Sequence, residues 1–278
     1  MILNTNNLTK IFGDGCSRCI SSTGSEAGNS ICPHCQSIVA VNSVNIELND
    51  GEVLGIVGES GSGKSTLLKL LYRDIDASQG KVFLNDFKDK YGKMKDIMKA
   101  NLQELKWLRT SLMSIIYQNP ALGLNFHFSA GGNIAEKIIM KGENRYRNIR
   151  EKALYFMDKT ELPLSRVDNY PDKFSGGQQQ RVQISKAMSS DPKLLLLDEP
   201  TTGLDLSVQA KILDLIKILQ KKLGFAMIIV SHDLGVIKHL TDITVVMKNG
   251  EIVEKGLTDQ ILEDPFHPYT QLIVSSIL

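Results

Sequence analysis

The sequence lacks any hydrophobic run long enough to cross a bilayer. Apolar runs such as Ala226–Val230 fall far below the roughly 20 residues that a transmembrane helix needs. The first residues, Met1–Asn6, have neither a basic region nor a long apolar region, so we expect no secretory signal peptide. If the protein serves a membrane, we expect another chain to supply the part that crosses it.

The sequence also lacks an excess of charge of either sign. Its 278 residues include 32 Lys and Arg against 31 Asp and Glu, which gives a net charge of +1. A basic patch is the usual mark of a nucleic-acid-binding protein, so we expect no nucleic-acid partner. Hydrophobic residues make up 42% of the chain, which is enough to build a sizeable core.

Cysteine is absent everywhere except in residues 13–38, a segment rich in Gly and Ser. The four cysteines form two C-x-x-C pairs separated by twelve residues: Cys16, Cys19, Cys32 and Cys35. This spacing is typical of zinc knuckles that bring four thiolates into a tetrahedron. The segment is too short and polar to fold by burial alone, so we favour structural Zn²⁺. Disulfides, free thiols and an iron–sulfur cluster are the alternatives, and His34 is predicted to be exposed.

A glycine-rich stretch, Gly58–Thr66, matches the P-loop pattern G-x-x-x-x-G-K-[ST] at every fixed position. The apolar run Val53–Val57 before it predicts a buried strand, and a helix is predicted after it. We expect Lys64 to reach the β- and γ-phosphates of ATP and Ser65 to hold Mg²⁺. The remaining predicted nucleotide contacts of the loop are Gly58, Gly61, Ser62, Gly63 and Thr66.

Two carboxylates, Asp198 and Glu199, follow the apolar strand Leu194–Leu197. Asp198 is predicted to hold Mg²⁺ through water, and Glu199 to orient or deprotonate the attacking water. His232 follows another predicted strand and is expected to contact the γ-phosphate, while Gln118 is expected to contact the metal or water. If the P-loop were absent, simpler interpretations would apply: Asp198 and Glu199 would be an exposed acidic pair, His232 a structural residue and Gln118 a surface residue.

A second predicted anion site is the run Ser175, Gly176, Gly177 and Gln178 at a helix N-terminus. One chain with one P-loop hardly needs a second phosphate site for the same nucleotide. Two chains placed head to tail do need one. The pattern therefore favours a site shared between two subunits.

Strands alternate with amphipathic helices along most of the chain, which predicts an α/β fold with a mostly parallel sheet. Alternation in Val44–Leu48 predicts a half-buried strand, and Asn249-Gly250 predicts a hairpin. We expect one domain over residues 1–278, with residues 13–38 inserted into it and a helical subdomain at about residues 100–180.

These motifs occur together in the order and spacing of the ATP-binding cassette (ABC) ATPases, which this chain resembles over nearly its whole length outside residues 13–38. The resemblance implies a P-loop NTPase with a RecA-like core, an antiparallel β subdomain and an α-helical subdomain. It also implies two ATP molecules held between two cassettes, with Asp205 across the seam and Phe12 stacked on adenine. ATP and Mg²⁺ are the implied cofactors, and ATP hydrolysis is the implied activity.

Shorter stretches indicate which ABC ATPases are most similar. The segment 264–272, DPFHPYTQL, resembles peptide and nickel importers, whereas residues 129–134, 233–236 and 256–259 resemble the ATP-binding subunit of the phosphonate carbon–phosphorus lyase system. We therefore favour a lyase core complex as partner, in the cytoplasm. The alternatives are an importer ATPase, bound to permease subunits at the inner face of the membrane, and a soluble assembly or repair ATPase.

Overall fold

The computed structural model describes residues 1–276, so the last two residues of the predicted 1–278 domain lie outside the described part. The strands are β1 (Leu3–Phe12), β2 (Ile38–Val44), β3 (Glu47–Leu48), β4 (Val53–Val57), β5 (Gln79–Lys88), β6 (Met94–Asp96), β7 (Met113–Ile116), β8 (Leu194–Asp198), β9 (Ala226–Val230), β10 (Ile243–Lys248) and β11 (Glu251–Leu257). The α-helices are α1 (Lys64–Leu71), α2 (Leu102–Trp107), α3 (Pro120–Gly123), α4 (Ala130–Met140), α5 (Tyr146–Lys159), α6 (Gly176–Met188), α7 (Leu206–Leu223), α8 (Leu234–Leu240), α9 (Thr258–Glu263) and α10 (Pro268–Ser275).

The chain divides into two compact units. The first consists of Met1–Leu105 together with Ala226–Leu278, and the second is Lys106–Phe225. Among the helices within residues 1–276, none has the length and apolarity that a bilayer crossing demands.

The first unit contains two sets of paired strands. An antiparallel set runs in the order β2-β1-β5-β6, with β3 paired to β1. The strands β10, β4 and β9 are parallel neighbours, and β11 extends them as an antiparallel hairpin partner of β10. Every residue of β4 and of β9 is buried. That explains their unbroken apolar sequences, because parallel strands are covered on both faces.

The second unit combines helices with the parallel pair β7 and β8. All five residues of β8 are buried, including Asp198 at its end. Helices α4, α5 and α6 pack against one another. Helix α7 begins at its N-cap Asp205 and ends at Gly224, whose φ of 68° is the left-handed conformation favoured at helix C-termini.

The expected strand Val44–Leu48 is only partly correct. Strand pairing already begins at Ile38 and ends at Val44, and a short strand resumes at Glu47–Leu48. The break falls at Asn45 and Ile46, whereas the left-handed Ser43, with a φ of +53°, lies inside β2 at an irregularity in its pairing with β1. At the break, the backbone N–H of Ile46 donates to the side-chain hydroxyl of Thr5 in β1, at 2.7 Å, rather than to a backbone carbonyl.

Candidate nucleotide site and metal centre

The glycines of the P-loop adopt conformations that other residues avoid. Gly58, Gly61 and Gly63 have φ of 150°, 84° and 103°. A Cβ on Gly58 would lie 2.2 Å from the Met247 carbonyl oxygen, and one on Gly63 would lie 2.1 Å from that of Ala40. The loop therefore requires glycine at both positions, because it needs left-handed backbone and a close backbone neighbour together.

Helix α1 leaves its N-terminus without a side-chain cap, because its N-cap is Gly63. Beside it, the buried Lys64 extends Nζ over the loop and donates to the carbonyl oxygens of Gly58 and Glu59, each at 2.7 Å. Ser65 and Thr66 lie in the first turn. A helix N-terminus next to a lysine ammonium has the charge and the donors to bind phosphate, so this cradle fits a nucleotide phosphate chain.

Two contacts from distant parts of the sequence support the loop. The Glu59 N–H donates to the Tyr269 hydroxyl at 3.1 Å, and Tyr269 is buried. Burial raises the pKa of this tyrosine, so its hydroxyl stays neutral at pH 7. The N–H of Gly250, in the β10–β11 turn, donates to the Ser62 carbonyl at 3.0 Å. Sequence reasoning missed both contacts.

Two further predicted residues of the first unit are exposed. Phe12 ends β1 with 42% of its surface accessible, and the Lys10 ammonium lies 5.0 Å from its ring centroid. An accessible ring face at this point is suited to stacking on a base. His232 lies two residues after β9, between Ser231 and Asp233, with its side chain accessible.

In the second unit, the structure brings Glu199 and Gln118 together. The Gln118 amide donates to Glu199 Oε2 at 3.3 Å, and the Thr202 hydroxyl donates to the same oxygen at 3.0 Å. Glu199 has a φ of 46°, a left-handed conformation that costs energy in a non-glycine residue and is concentrated at functional sites. Asp198 directly before it is 8% exposed.

The residue before Gln118 is held by a buried glutamine that sequence reasoning missed. Gln183 of α6 accepts a hydrogen bond from the Tyr117 N–H at 2.7 Å and donates to the Tyr117 carbonyl at 3.1 Å. Its side chain is 1% exposed. The only signal in the sequence was a polar residue on the apolar face of a helix. Gln183 thus fixes the backbone on which Gln118 is carried.

Helix α6 begins with a reciprocal capping box. The Ser175 hydroxyl accepts from the Gln178 N–H at 3.4 Å, and the Gln178 side chain accepts from the Ser175 N–H at 3.2 Å. Arg166 also donates to Gln178, at 3.1 Å. There is room for a side chain at Gly176, whereas a Cβ on Gly177 would lie 2.5 Å from the Val208 side chain. The predicted helix start at Ser175 is confirmed by this geometry.

Asp205 acts as the N-cap of α7. Its carboxylate accepts from the Val208 N–H at 3.0 Å and from the Ser207 hydroxyl at 2.7 Å. The Ser207 hydroxyl and then the Val208 N–H lower the pKa of Asp205, so the group is a carboxylate at neutral pH. It is exposed, which leaves it open to contact with another molecule.

The four cysteine sulfurs converge on one point. All four Sγ atoms lie within 4.8 Å of one another, and the Sγ–Sγ distances are 3.7, 3.7 and 3.4 Å for the pairs 16–32, 16–19 and 19–35. Sulfurs placed 2.3 Å from a tetrahedral Zn²⁺ would lie about 3.8 Å apart. All four cysteines are within residues 1–276 and none is in a disulfide. His34 is exposed, as expected, and is not part of the cluster.

The local surroundings shift the pKa values of two cysteine thiols, Cys35 and Cys19, in opposite directions. Hydrogen bonds from the Ser37 hydroxyl and backbone lower the pKa of Cys35 to about 6. The Cys16 N–H favours the Cys19 thiolate, but burial and the neighbouring cysteines outweigh it and raise the pKa of Cys19 to about 12. Crowded sulfurs cannot all carry charge on their own, whereas a divalent cation stabilises thiolates collectively. The donor set therefore fits a thiolate-binding metal ion.

Several known proteins are similar to this chain in sequence. The family model described as ABC transporter matches residues 41–202. The phosphonates utilization ATP-binding protein PhnK of Escherichia coli is 46% identical over 237 residues, covering 85% of this chain and 91% of that protein. The dipeptide transport ATP-binding protein DppF of Haemophilus influenzae is 38% identical, covering 87% of this chain and 71% of that protein.

The structure is similar to solved cassettes as well. One is the dimeric post-hydrolysis state of the ATP-binding cassette MJ0796 bound to ADP and Pi, with a TM-score of 0.76 at 26% identity, covering 92% of this chain and 99% of that one. The predicted α/β P-loop fold of an ABC cassette is thereby confirmed. This chain belongs to the ABC transporter family, as an ATP-hydrolysing cassette.

Proposed function

We propose that this chain is the ATP-binding subunit of a carbon–phosphorus lyase complex, in which ATP turnover opens or remodels a lyase core. The observation that carries the proposal is the 46% identity to a phosphonate-utilization ATP-binding protein, against 38% to a dipeptide transport ATPase of similar coverage. The radical chemistry belongs to the core and not to this chain. The proposed assembly works in the cytoplasm, where ATP is available.

We further propose a single cassette domain over residues 1–278, with a metal-binding insertion at 13–38 and a helical subdomain at about 100–180. Two copies, or this chain and a related one, pair head to tail around two ATP molecules. The P-loop of one subunit and the Ser175–Gln178 stretch of the other hold each nucleotide. Dimeric structures of the similar cassette MJ0796 support this pairing.

The proposed roles follow the chemistry of each residue. Lys64 and the loop amides bind phosphate, Phe12 stacks on adenine and Asp205 faces the second subunit. Mg²⁺ is held by Ser65, Gln118 and, through water, by Asp198. Glu199 is the proposed base for the attacking water, with His232 as the γ-phosphate contact.

The Glu199 role is tested by Glu199→Gln. This change keeps the shape of the side chain and removes its basicity, so we expect ATP turnover to fall by roughly 100-fold or more while ATP binding is retained. Turnover is measured by phosphate release and binding by titration calorimetry. Asp214→Asn, in helix α7, serves as the matched control. Near-normal hydrolysis by Glu199→Gln would remove Glu199 from the role.

We propose that Cys16, Cys19, Cys32 and Cys35 hold structural Zn²⁺. Their converging sulfurs support this proposal, and a closed set of four thiolates leaves no open position for catalysis. Mass spectrometric metal analysis of the purified protein should find about one zinc per chain, as a single four-thiolate centre requires. Iron with a visible absorption band would instead indicate an iron–sulfur cluster.

An importer ATPase is the second candidate, because the chain is also 38% identical to a dipeptide transport ATP-binding protein. A surface of the second unit would serve as the docking site for its partner. An open groove of ≈ 650 Å³ beside α4 is lined in part by Phe128, Ile139, Met140 and Tyr170. Each of these four side chains is at least 41% exposed. An exposed apolar groove of this kind suits the docking of a partner helix. In an importer that helix would come from a permease subunit.

Affinity capture from a native extract separates the two candidates. Recovery of lyase subunits supports the proposed function, whereas recovery of integral membrane permeases without lyase subunits overturns it. Ile139→Asp places a charge in the groove and should abolish capture of either partner. Ile218→Asp is the matched control, because Ile218 is equally exposed at 51% but lies on α7, outside the groove.

A further inference from the structure

Glu251 connects the four-cysteine segment to the β10–β11 hairpin. Its Oε2 accepts hydrogen bonds from the backbone N–H of Ser25 at 2.8 Å and from the Ser25 hydroxyl at 2.7 Å. Its Oε1 accepts from the Asn42 amide at 2.9 Å. A Cβ on Gly24 would lie 2.3 Å from Oε1, so glycine at this position allows the carboxylate to approach the backbone.

A short path leads from Ser25 back to the sulfur cluster. The Thr23 side chain is buried, and its hydroxyl donates to the Cys19 carbonyl at 2.8 Å. Cys19 and Cys32 are themselves fully buried and pack on Val39 of β2. The position of Ser25 therefore depends on the fold of the segment that carries the thiols.

The other end of the path reaches the P-loop. Gly250, directly before Glu251, donates its N–H to the Ser62 carbonyl at 3.0 Å and accepts from the Asn42 N–H at 2.8 Å. The backbone of Ala40, in the same strand as Asn42, packs so closely on Gly63 that no side chain fits between them. The hairpin and β2 thus form one wall of the phosphate cradle.

We infer that the metal-bound segment positions the P-loop for ATP, and that Glu251 is the positioning residue that transmits this effect. The inference rests on the metal site and the ATP site proposed above. The segment is rich in glycine and serine and has few buried side chains, so a metal ion is the main source of its rigidity. Without the metal, Ser25 no longer presents a fixed pair of donors to Glu251. The hairpin then supports Ser62 less well, and ATP binding loses preorganisation.

The test measures Mg²⁺–ATP affinity by calorimetry in three forms of the full chain, each with its zinc content quantified: wild type, Glu251→Ala and Glu263→Ala. Glu263 is the matched control, because it is an exposed glutamate of the same unit, paired only with the exposed Lys238 among the ion pairs of residues 1–276. Each form is measured as purified, after removal of zinc by a zinc-selective chelator, and after zinc is restored.

We expect zinc removal to weaken ATP binding by wild type and Glu263→Ala roughly tenfold, the scale of one hydrogen bond to a charged group, and zinc to restore it. Glu251→Ala should keep its zinc, bind ATP roughly tenfold more weakly, and lose nothing further on zinc removal. Turnover at saturating ATP should be unchanged in Glu251→Ala, because the change affects binding rather than the reacting groups.

Two contrary outcomes have separate meanings. Unchanged ATP affinity after verified zinc loss, or additive losses from zinc removal and Glu251→Ala, would overturn the inference and leave the proposed zinc site and ATP site intact. A wild-type protein that holds no metal and takes up none would overturn the proposed zinc site itself, and this inference with it. If stripped wild type precipitates, the affinity of zinc-loaded Glu251→Ala against Glu263→Ala decides the role of Glu251.

Discussion

Two helix N-termini in this molecule, those of α1 and α6, have opposite construction. Helix α1 starts at a glycine that provides no side-chain cap and places a buried lysine beside its first turn. Helix α6 starts at a serine and caps itself through a reciprocal Ser175–Gln178 pair. The first end is arranged for an anion that comes from outside the chain. The second is stable without one and keeps a hydroxyl and an open glycine at its surface.

The difference indicates that the two helix N-termini have different roles in the proposed dimer. We expect the P-loop end to provide most of the ATP-binding energy, because it combines glycine backbone, helix dipole and the Lys64 ammonium. We expect the capped end to contribute only when a second subunit brings a nucleotide to it. Changes at α1 should therefore impair ATP binding by a single subunit, whereas changes at α6 should impair turnover and pairing.

The largest expected effect comes from Lys64→Ala. Loss of the ammonium should lower ATP turnover roughly 100-fold or more and weaken ATP binding by the isolated subunit. Lys69→Ala is the matched control, since Lys69 is an exposed residue of the same helix. Calorimetric titration and phosphate release provide the readouts. If Lys64→Ala kept wild-type ATP affinity, the N-terminus of α1 would not be the main ATP-binding end.

Two glycine substitutions, one at each helix N-terminus, test the difference between α1 and α6. Gly63→Ala forces a left-handed alanine against the Ala40 carbonyl and should destabilise the protein by about 3 kcal/mol or more. Gly176→Ala meets only a Leu204 methyl at 3.6 Å and should leave the melting temperature unchanged or slightly higher, while lowering turnover. Thermal unfolding and phosphate release measure the two effects. Equal destabilisation by both changes would show that the two glycines serve the same purpose.

The smallest expected effect is at the cap of α6. Ser175→Ala removes the hydroxyl that accepts from Gln178 and should cost about 1 kcal/mol of unfolding free energy. Ser175→Thr keeps a hydroxyl at this position and is the control. Urea unfolding measures both variants. An unaltered stability in Ser175→Ala would show that the capping box does not hold this helix end.

The sequence predicted features that depend on neighbouring residues. The P-loop, the start of α6 at Ser175 and the Asn249-Gly250 hairpin are local patterns of glycines, caps and apolar runs. The four-cysteine cluster was also predicted, because two local C-x-x-C pairs limit the ways in which the thiols can meet. The strand expected at Val44–Leu48 keeps the predicted alternation of buried and exposed side chains, but its strand pairing is interrupted at Ile46, whose N–H donates to the Thr5 side chain.

Contacts between distant residues were not predictable. Glu59 meets Tyr269 across 210 positions, and Ser25 meets Glu251 across 226. Gln183 likewise acquires its role only when the fold brings it beside Tyr117, 66 positions away. Polar residues of these kinds are common on any surface. Only tertiary packing decides which of them support a site.

The most direct test of the shared site mixes two defective subunits. Lys64→Ala disables the P-loop half, and Gly176→Asp places a carboxylate at the open glycine of the other half, where a phosphate would be repelled. Each homodimer then has no intact site, but a mixed dimer has one intact P-loop facing one intact α6 end. We predict that mixing the two inactive proteins restores ATP hydrolysis. A mixture no more active than its parents would contradict a nucleotide site that is shared between two subunits.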